Sequence, residues 1–199
     1  MTWNTPVANM IENHGARLRL ITAQDRDAYE HLVFYPKIWE HFVSRVDTLE
    51  ELDVFMASAV DDNAAGRRAA YAVIDKASGK IAGSMSYGNL APADRRLEIG
   101  WSWLSPEYQG TGLNSWAKLA LLSQAFDDMG AERVEFKTDV LNTPARRALI
   151  KIGATEEGVL RSFNFMPSGR RRDAIFYSVL KAEWADVRRE LEEKLCAPA

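Results

Sequence analysis

Between Leu97 and Gly130 the hydrophobic period of the chain changes once, and a pair of glycines marks the change. Arg95 to Leu104 alternates as a strand, which predicts Leu97, Ile99, Trp101 and Trp103 on one face and Glu98, Gly100 and Ser102 on the other. Ser105-Pro106 stops it. After Gly112 the period is helical. Leu113, Trp116, Ala117, Ala120 and Leu121 make one stripe, widened by Leu119, Leu122 and Phe126, so this helix is expected to be buried over much of its circumference. A strand that passes into a helix through a glycine loop offers free backbone N–H groups to an anion, and Gly110 and Gly112 let that anion come close.

The remaining elements are arranged around this junction. Met1 to Gly15 is polar and aperiodic and reads as an irregular arm. Arg17 to Ile21 is a first strand, and Thr22 caps a helix that runs to Pro36. Thr48 opens a second helix with Glu51 at capping-box spacing; Leu49, Leu52, Phe55, Met56 and Ala59 follow its face, and the stretch from Asp61 to Gly66 reads as a loop. Ala69 to Ile74 and Ile81 to Tyr87 form a hairpin. Beyond the central helix come a strand over Arg133 to Thr138 and a helix with Thr143 as N-cap and Pro144 at its first position. A hairpin over Gly158 to Met166 and Arg171 to Leu180 follows, then a last helix facing inward through Trp184, Val187, Leu191 and Leu195.

The 199 residues suit one domain spanning 1–199. A net charge of −3 gives no support for nucleic acid or an anionic membrane as a partner. Cys196 is the single cysteine, so neither an intramolecular disulfide nor a cysteine-based zinc site is expected. His31 and His41 lack metal-ligand spacing, and no metal is assigned. With no basic segment leading into an apolar core near the start, and no run long enough for a membrane span, the expected location is cytoplasmic.

Two phosphate loops are excluded. The loop Gln109-Gly110-Thr111-Gly112-Leu113-Asn114 lacks the Gly-Lys-Ser/Thr ending of a Walker A loop, and Ser115 stands where a dinucleotide fingerprint needs its third glycine. The loop resembles motif A of the GCN5-related N-acetyltransferases (GNAT), Q/R-x-x-G-x-G/A, with Asn114 in place of the usual last glycine or alanine. Leu104-Ser105-Pro106-Glu107-Tyr108 resembles that family's end of strand four, and Asn142…Gly153-Ala154 its motif B. The similarity spans roughly Arg17 to Leu180 and is greatest to the ribosomal-protein N-terminal acetyltransferase branch.

The resemblance implies an α/β (α+β) GNAT fold, with a mixed, mostly antiparallel sheet of six to seven strands flanked by helices and splayed at its centre. It implies acetyl-CoA as cosubstrate. The backbone of Trp103 and Leu104 would run beside the pantetheine arm, with the Leu104 N–H near the thioester carbonyl. The amides of Gln109, Gly110, Thr111, Gly112, Leu113 and Asn114 would hold the pyrophosphate, with Ser115 adding a hydroxyl. Asn142 would face the pantetheine, and Arg146, Arg147 or Lys151 the nucleotide phosphates, unless these three merely form a solvated helix face. Many relatives carry a serine or tyrosine on the motif B helix as general acid, where this chain has Ala145 and Leu149.

The expected chemistry is transfer of an acetyl group to a primary amine of a small molecule or a protein N-terminus. Glu98, beside Gly100 and Ser102, is the candidate base; its other reading is an ion pair with a neighbouring strand, and a bulge before Leu104, common where this family splays its strands, would shift the face assignment of the residues beyond it. Trp39, His41, Phe42, Tyr87 and Phe163 are candidate walls of the acceptor pocket, although aromatic residues at such spacing also build cores. A non-catalytic acyl-CoA-binding sensor or scaffold is the alternative that the missing serine and tyrosine keep open. The two C-terminal strands offer an edge through which a homodimer could extend its sheet.

Overall fold

A computed structural model describes residues 6–197. Eight strands form one sheet in the order β1-β2-β3-β4-β5-β6-β8-β7: β1 Met10–Glu12, β2 Ala16–Leu20, β3 Ala69–Asp75, β4 Ile81–Ala91, β5 Arg96–Leu104, β6 Arg133–Asp139, β7 Thr155–Phe165 and β8 Arg171–Leu180. Every neighbouring pair is antiparallel except β5 and β6. The additional strand lies in the N-terminal arm, where Met10, Ile11 and Glu12 pair with Arg19, Leu18 and Arg17. Residues 1–5 of that arm lie outside the described residues.

Helices cover both faces. On one lie α1 Arg26–Val33, α2 Pro36–Trp39 and α3 Leu49–Ala65, which bury Tyr29, Trp39, Leu52 and Met56 together with Trp103. On the other lie α4 Leu113–Ser123 and α6 Trp184–Cys196, over a larger core that includes Tyr71, Met85, Tyr87, Leu97, Ile99 and Phe136. The fifth helix, α5 Thr143–Lys151, adds Leu149 to this second core. No helix among the described residues is long and apolar enough to cross a membrane.

Three local expectations are corrected. The stretch after Asp61 does not loop out: α3 continues to Ala65 and ends on Gly66, whose φ of 65° is the left-handed conformation of a helix C-terminus. Asn142, not Thr143, caps α5, accepting the Ala145 N–H at 3.1 Å. The third correction concerns the face pattern of β5. Ser84 faces Trp103 and Ser86 faces Gly100, so β5 carries one residue more than β4 across this interval. Trp101 absorbs it at φ 50°, forming a bulge that turns every later side chain over. Leu97 and Ile99 therefore share the α4 face with Leu104, while Trp103 enters the opposite core.

Candidate active site

The parallel pairing of β5 and β6 is only three residues long, joining Arg96, Leu97 and Glu98 to Arg133, Val134 and Glu135. Beyond it the two strands diverge, as the resemblance implied. A groove of about 870 Å³ opens there, running from the start of α4 past the end of β5 to the loop after α2 and to β7.

At one end lies the glycine loop. Gly110 and Gly112 have φ of 80° and 90°, and a Cβ on either would meet nothing within 4 Å, so the loop presents bare backbone to the groove. The N–H groups of Gly110, Thr111 and Gly112 find no acceptor among the described residues. They adjoin the N-terminus of α4, where the helix dipole favours negative charge. Gln109 clasps the loop to β5 by donating from Nε2 to the Leu104 carbonyl at 3.0 Å. Trp103, Leu104, Gln109, Gly110 and Gly112 all line the groove, as do Asn114 and Ser115 on the first turn of α4. Thr111 and Leu113 are not among the lining residues, and the Leu113 N–H donates to Thr111 Oγ1 at 3.4 Å. The Thr111 hydroxyl bonds to the Tyr108 carbonyl at 2.9 Å, and Leu113 is core.

Across the cleft, Asn142 spends its side-chain oxygen on the α5 cap and still lines the groove. Ala145, Leu149 and Lys151 line it too. Arg147 is exposed and outside the lining residues. Arg146 is committed elsewhere, donating to the Tyr177 hydroxyl at 3.2 Å and the Val140 carbonyl at 3.1 Å.

At the other end, His41, Phe42 and Phe163 line the groove, but Trp39 and Tyr87 do not. Trp39 is buried behind it, its Nε1 donating to the Val33 carbonyl at 2.8 Å. Tyr87 belongs to the core under α4, where its hydroxyl donates to the Leu121 carbonyl. Both are packing residues. Glu98 makes the ion pair with a neighbouring strand that was one of its two readings. Its Oε2 accepts from Lys137 Nζ on β6 and from Asn89 Nδ2 on β4, each at 2.6 Å. Its Oε1 lies over Gly100, where a Cβ would come within 2.8 Å, and bonds to no described residue. Ser102, turned over by the bulge, is not on this face.

Alternation and motif matching pass over several charged groups in the groove. Lys137 stands over the Trp101 ring at 6.0 Å, and Arg172 on β8 is 6% exposed, donating to Asn164 at 3.0 Å. Burial lowers the pKa of Arg172 against the opposing pull of Asp139 and Glu98. Lys118 on α4 is 4% exposed and donates to Ser102 Oγ at 3.0 Å; desolvation holds its ammonium down at about 8. Its signal in the sequence is a lone lysine inside the apolar run from Ala117 to Leu122.

The acetyltransferase (GNAT) domain family matches residues 16–155. The chain belongs to the GNAT acetyltransferases. Among GNAT relatives, it is 34% identical over 106 residues to a Bacillus subtilis (strain 168) protein named as a ribosomal N-acetyltransferase, YdaF; the match covers 53% of this chain and 57% of that protein. The chain thus spans little more than half the length of that relative. A GCN5-related N-acetyltransferase from Brucella melitensis superposes with a TM-score of 0.90 at 27% identity, over 99% of this chain and 89% of the other. Mycobacterium smegmatis RimJ, solved in complex with CoA-disulfide, shares the fold with a TM-score of 0.79 at 20% identity, over 98% and 97% of the two chains.

Proposed function

We propose that this GNAT protein transfers the acetyl group of acetyl-CoA to the primary amine of a small molecule or a protein N-terminus. The observation that carries the reading is the run of unbonded N–H groups from Gly110 to Gly112, set at a helix N-terminus and opening into a groove that continues to Leu104. A pyrophosphate fits such donors through charge-assisted hydrogen bonds. Asn142 and the backbone of Trp103 and Leu104 lie along the path that a pantetheine arm would follow toward Glu98.

Transfer proceeds by direct attack. The two reactants meet where β5 and β6 part, and their alignment supplies much of the rate. The Leu104 N–H is the candidate donor to the developing oxyanion, and a donor of this kind is worth about 2.7–4 kcal/mol. Glu98 Oε1 is the acceptor for the amine proton. Around it the groove is charged and aromatic, with Lys137, Arg172, His41, Phe42 and Phe163, which suits a polar amine flanked by further functional groups.

The test is a coenzyme A release assay that sets peptide libraries with free N-termini against small amines. Thiol release with one class identifies the acceptor. Tight binding of acetyl-CoA with no release across the panel would instead favour an acyl-CoA sensor.

A further inference from the structure

Lys118 is a buried cation without an anion. No carboxylate lies within ion-pairing distance of it among the described residues. Its neighbours are Ser102 Oγ from β5 at 3.0 Å, Met85 Sδ from β4 at 4.0 Å and the Phe136 ring from β6 at 5.6 Å, none of them charged. Burying an unpaired ammonium is costly, and a helix facing an apolar core has no structural need of one.

The position of Lys118 indicates what would balance it. Asn114, Ser115 and Lys118 fall on one side of α4 and all line the groove. From Asn114 to Lys118 is one helical turn, about 5–6 Å along the axis, leading away from the phosphate end. Lys118 therefore sits under the place where β5 and β6 separate, beside the last residues of β5. Opposite it, Ala145 and Leu149 present no proton to the groove.

We propose that Lys118 is the general acid of this active site, delivering a proton to the departing thiolate, with Ser102 as its positioning residue. The inference rests on the acetyl-CoA reading above. The neutral acceptor amine attacks the thioester carbonyl, and a C–N bond forms. The nitrogen loses its extra proton to Glu98 or water. The tetrahedral intermediate collapses, the C–S bond breaks with both electrons passing to sulfur, and a Lys118 ammonium proton moves to sulfur to give free thiol. Neutral Lys118 then regains from solvent a proton equivalent to the one the acceptor lost. The thiolate is also the missing counter-charge: while it forms, the buried cation is paired for the first time.

The experiment compares wild type, Lys118→Met and Lys118→Arg in acetyl-CoA turnover across about pH 6 to 10, with coenzyme A affinity measured by calorimetry. A positioned proton donor contributes about 10²–10⁴-fold. The expected result is a kcat lower by about 10²-fold or more in Lys118→Met. Its coenzyme A affinity should stay near that of wild type, and the decline of wild-type kcat above about pH 8 should be missing. Lys118→Arg should be slow as well, because a guanidinium keeps its proton throughout this range. If Lys118→Met does not fold, Lys118→Arg decides alone. A wild-type kcat in either folded variant, or an alkaline decline that persists in them, overturns the assignment of Lys118 alone. Absence of thiol release by the wild type overturns the acetyl-transfer reading as well.

Discussion

Gly88 on β4 and the Trp101 indole on β5 share one space: a Cβ on Gly88 would fall 2.3 Å from the ring. Trp101 can turn its side chain this way because its backbone is left-handed at the bulge. It lines the main groove and also a second one, of about 580 Å³, under α3. Gly88→Ala must displace the indole, and overpacking of this kind costs about 1–3 kcal/mol. Thermal unfolding should shift down by about 2–4 °C for each kcal/mol lost. If Trp101 borders the amine site, the KM for the amine acceptor should rise while that for acetyl-CoA stays unchanged; an unchanged acceptor KM would mean that Trp101 lines the groove without touching the amine.

At Gly112 the constraint is conformational. Its φ of 90° is one that side chains rarely adopt, although a Cβ there meets open space. Gly112→Ala should cost about 1–3 kcal/mol of backbone strain. The loop can relieve this strain by reorienting its amides, so coenzyme A should bind about tenfold more weakly in calorimetric titration. Unaltered affinity would mean that these amides do not hold the phosphates.

Glu98→Gln separates the two uses of that side chain. The amide oxygen can still accept from Lys137 and Asn89, which preserves packing, but the group no longer takes a proton. Measured as a pH–rate profile, kcat should fall about 10²-fold at every pH. Wild-type rates at every pH would leave Glu98 with its ion pair as its only role.

Lys118 also predicts an effect on stability opposite to its effect on rate. Burial lowers its pKa from the ordinary 10.5 to about 8, so between these values the unfolded chain binds more protons than the folded one. Stability therefore rises with pH across that window, and below it the full cost of burying the charge is present. Lys118→Met should be more stable than wild type at pH 7, by up to about 3 kcal/mol from the pKa shift. That advantage should shrink as the pH climbs from about 8 toward 10.5. Urea unfolding at three pH values measures it, and equal stability at pH 7 would mean that Lys118 carries no burial penalty.

The sequence shows the elements of the site more clearly than the directions its side chains take. The glycine loop and the apolar helix behind it are local patterns, and each stands where its residues imply; at the next helix the cap falls one residue earlier than expected, on Asn142. Trp101 is different. A bulge leaves the apolar alternation Leu97, Ile99, Trp101, Trp103 looking regular, because the extra residue changes faces without changing residue types. Tyr87 sits in a continuously buried part of β4, covered on both faces, so its pattern could not tell the core under α4 from the groove. Lys118 was visible as an anomaly in an apolar run, but its meaning needs Ser102, Met85 and Phe136, which come from three separate strands.

The short ladder between β5 and β6 has a consequence for what can enter. Past Glu98 and Glu135 the sheet contains two edges inside itself, each a row of main-chain donors and acceptors with no strand opposite. At the margin of a sheet such an edge invites other chains. Here helices cover both faces, and the two open edges front the groove that runs past the end of β5. A ligand with alternating donors and acceptors of its own would meet either edge as an added strand does.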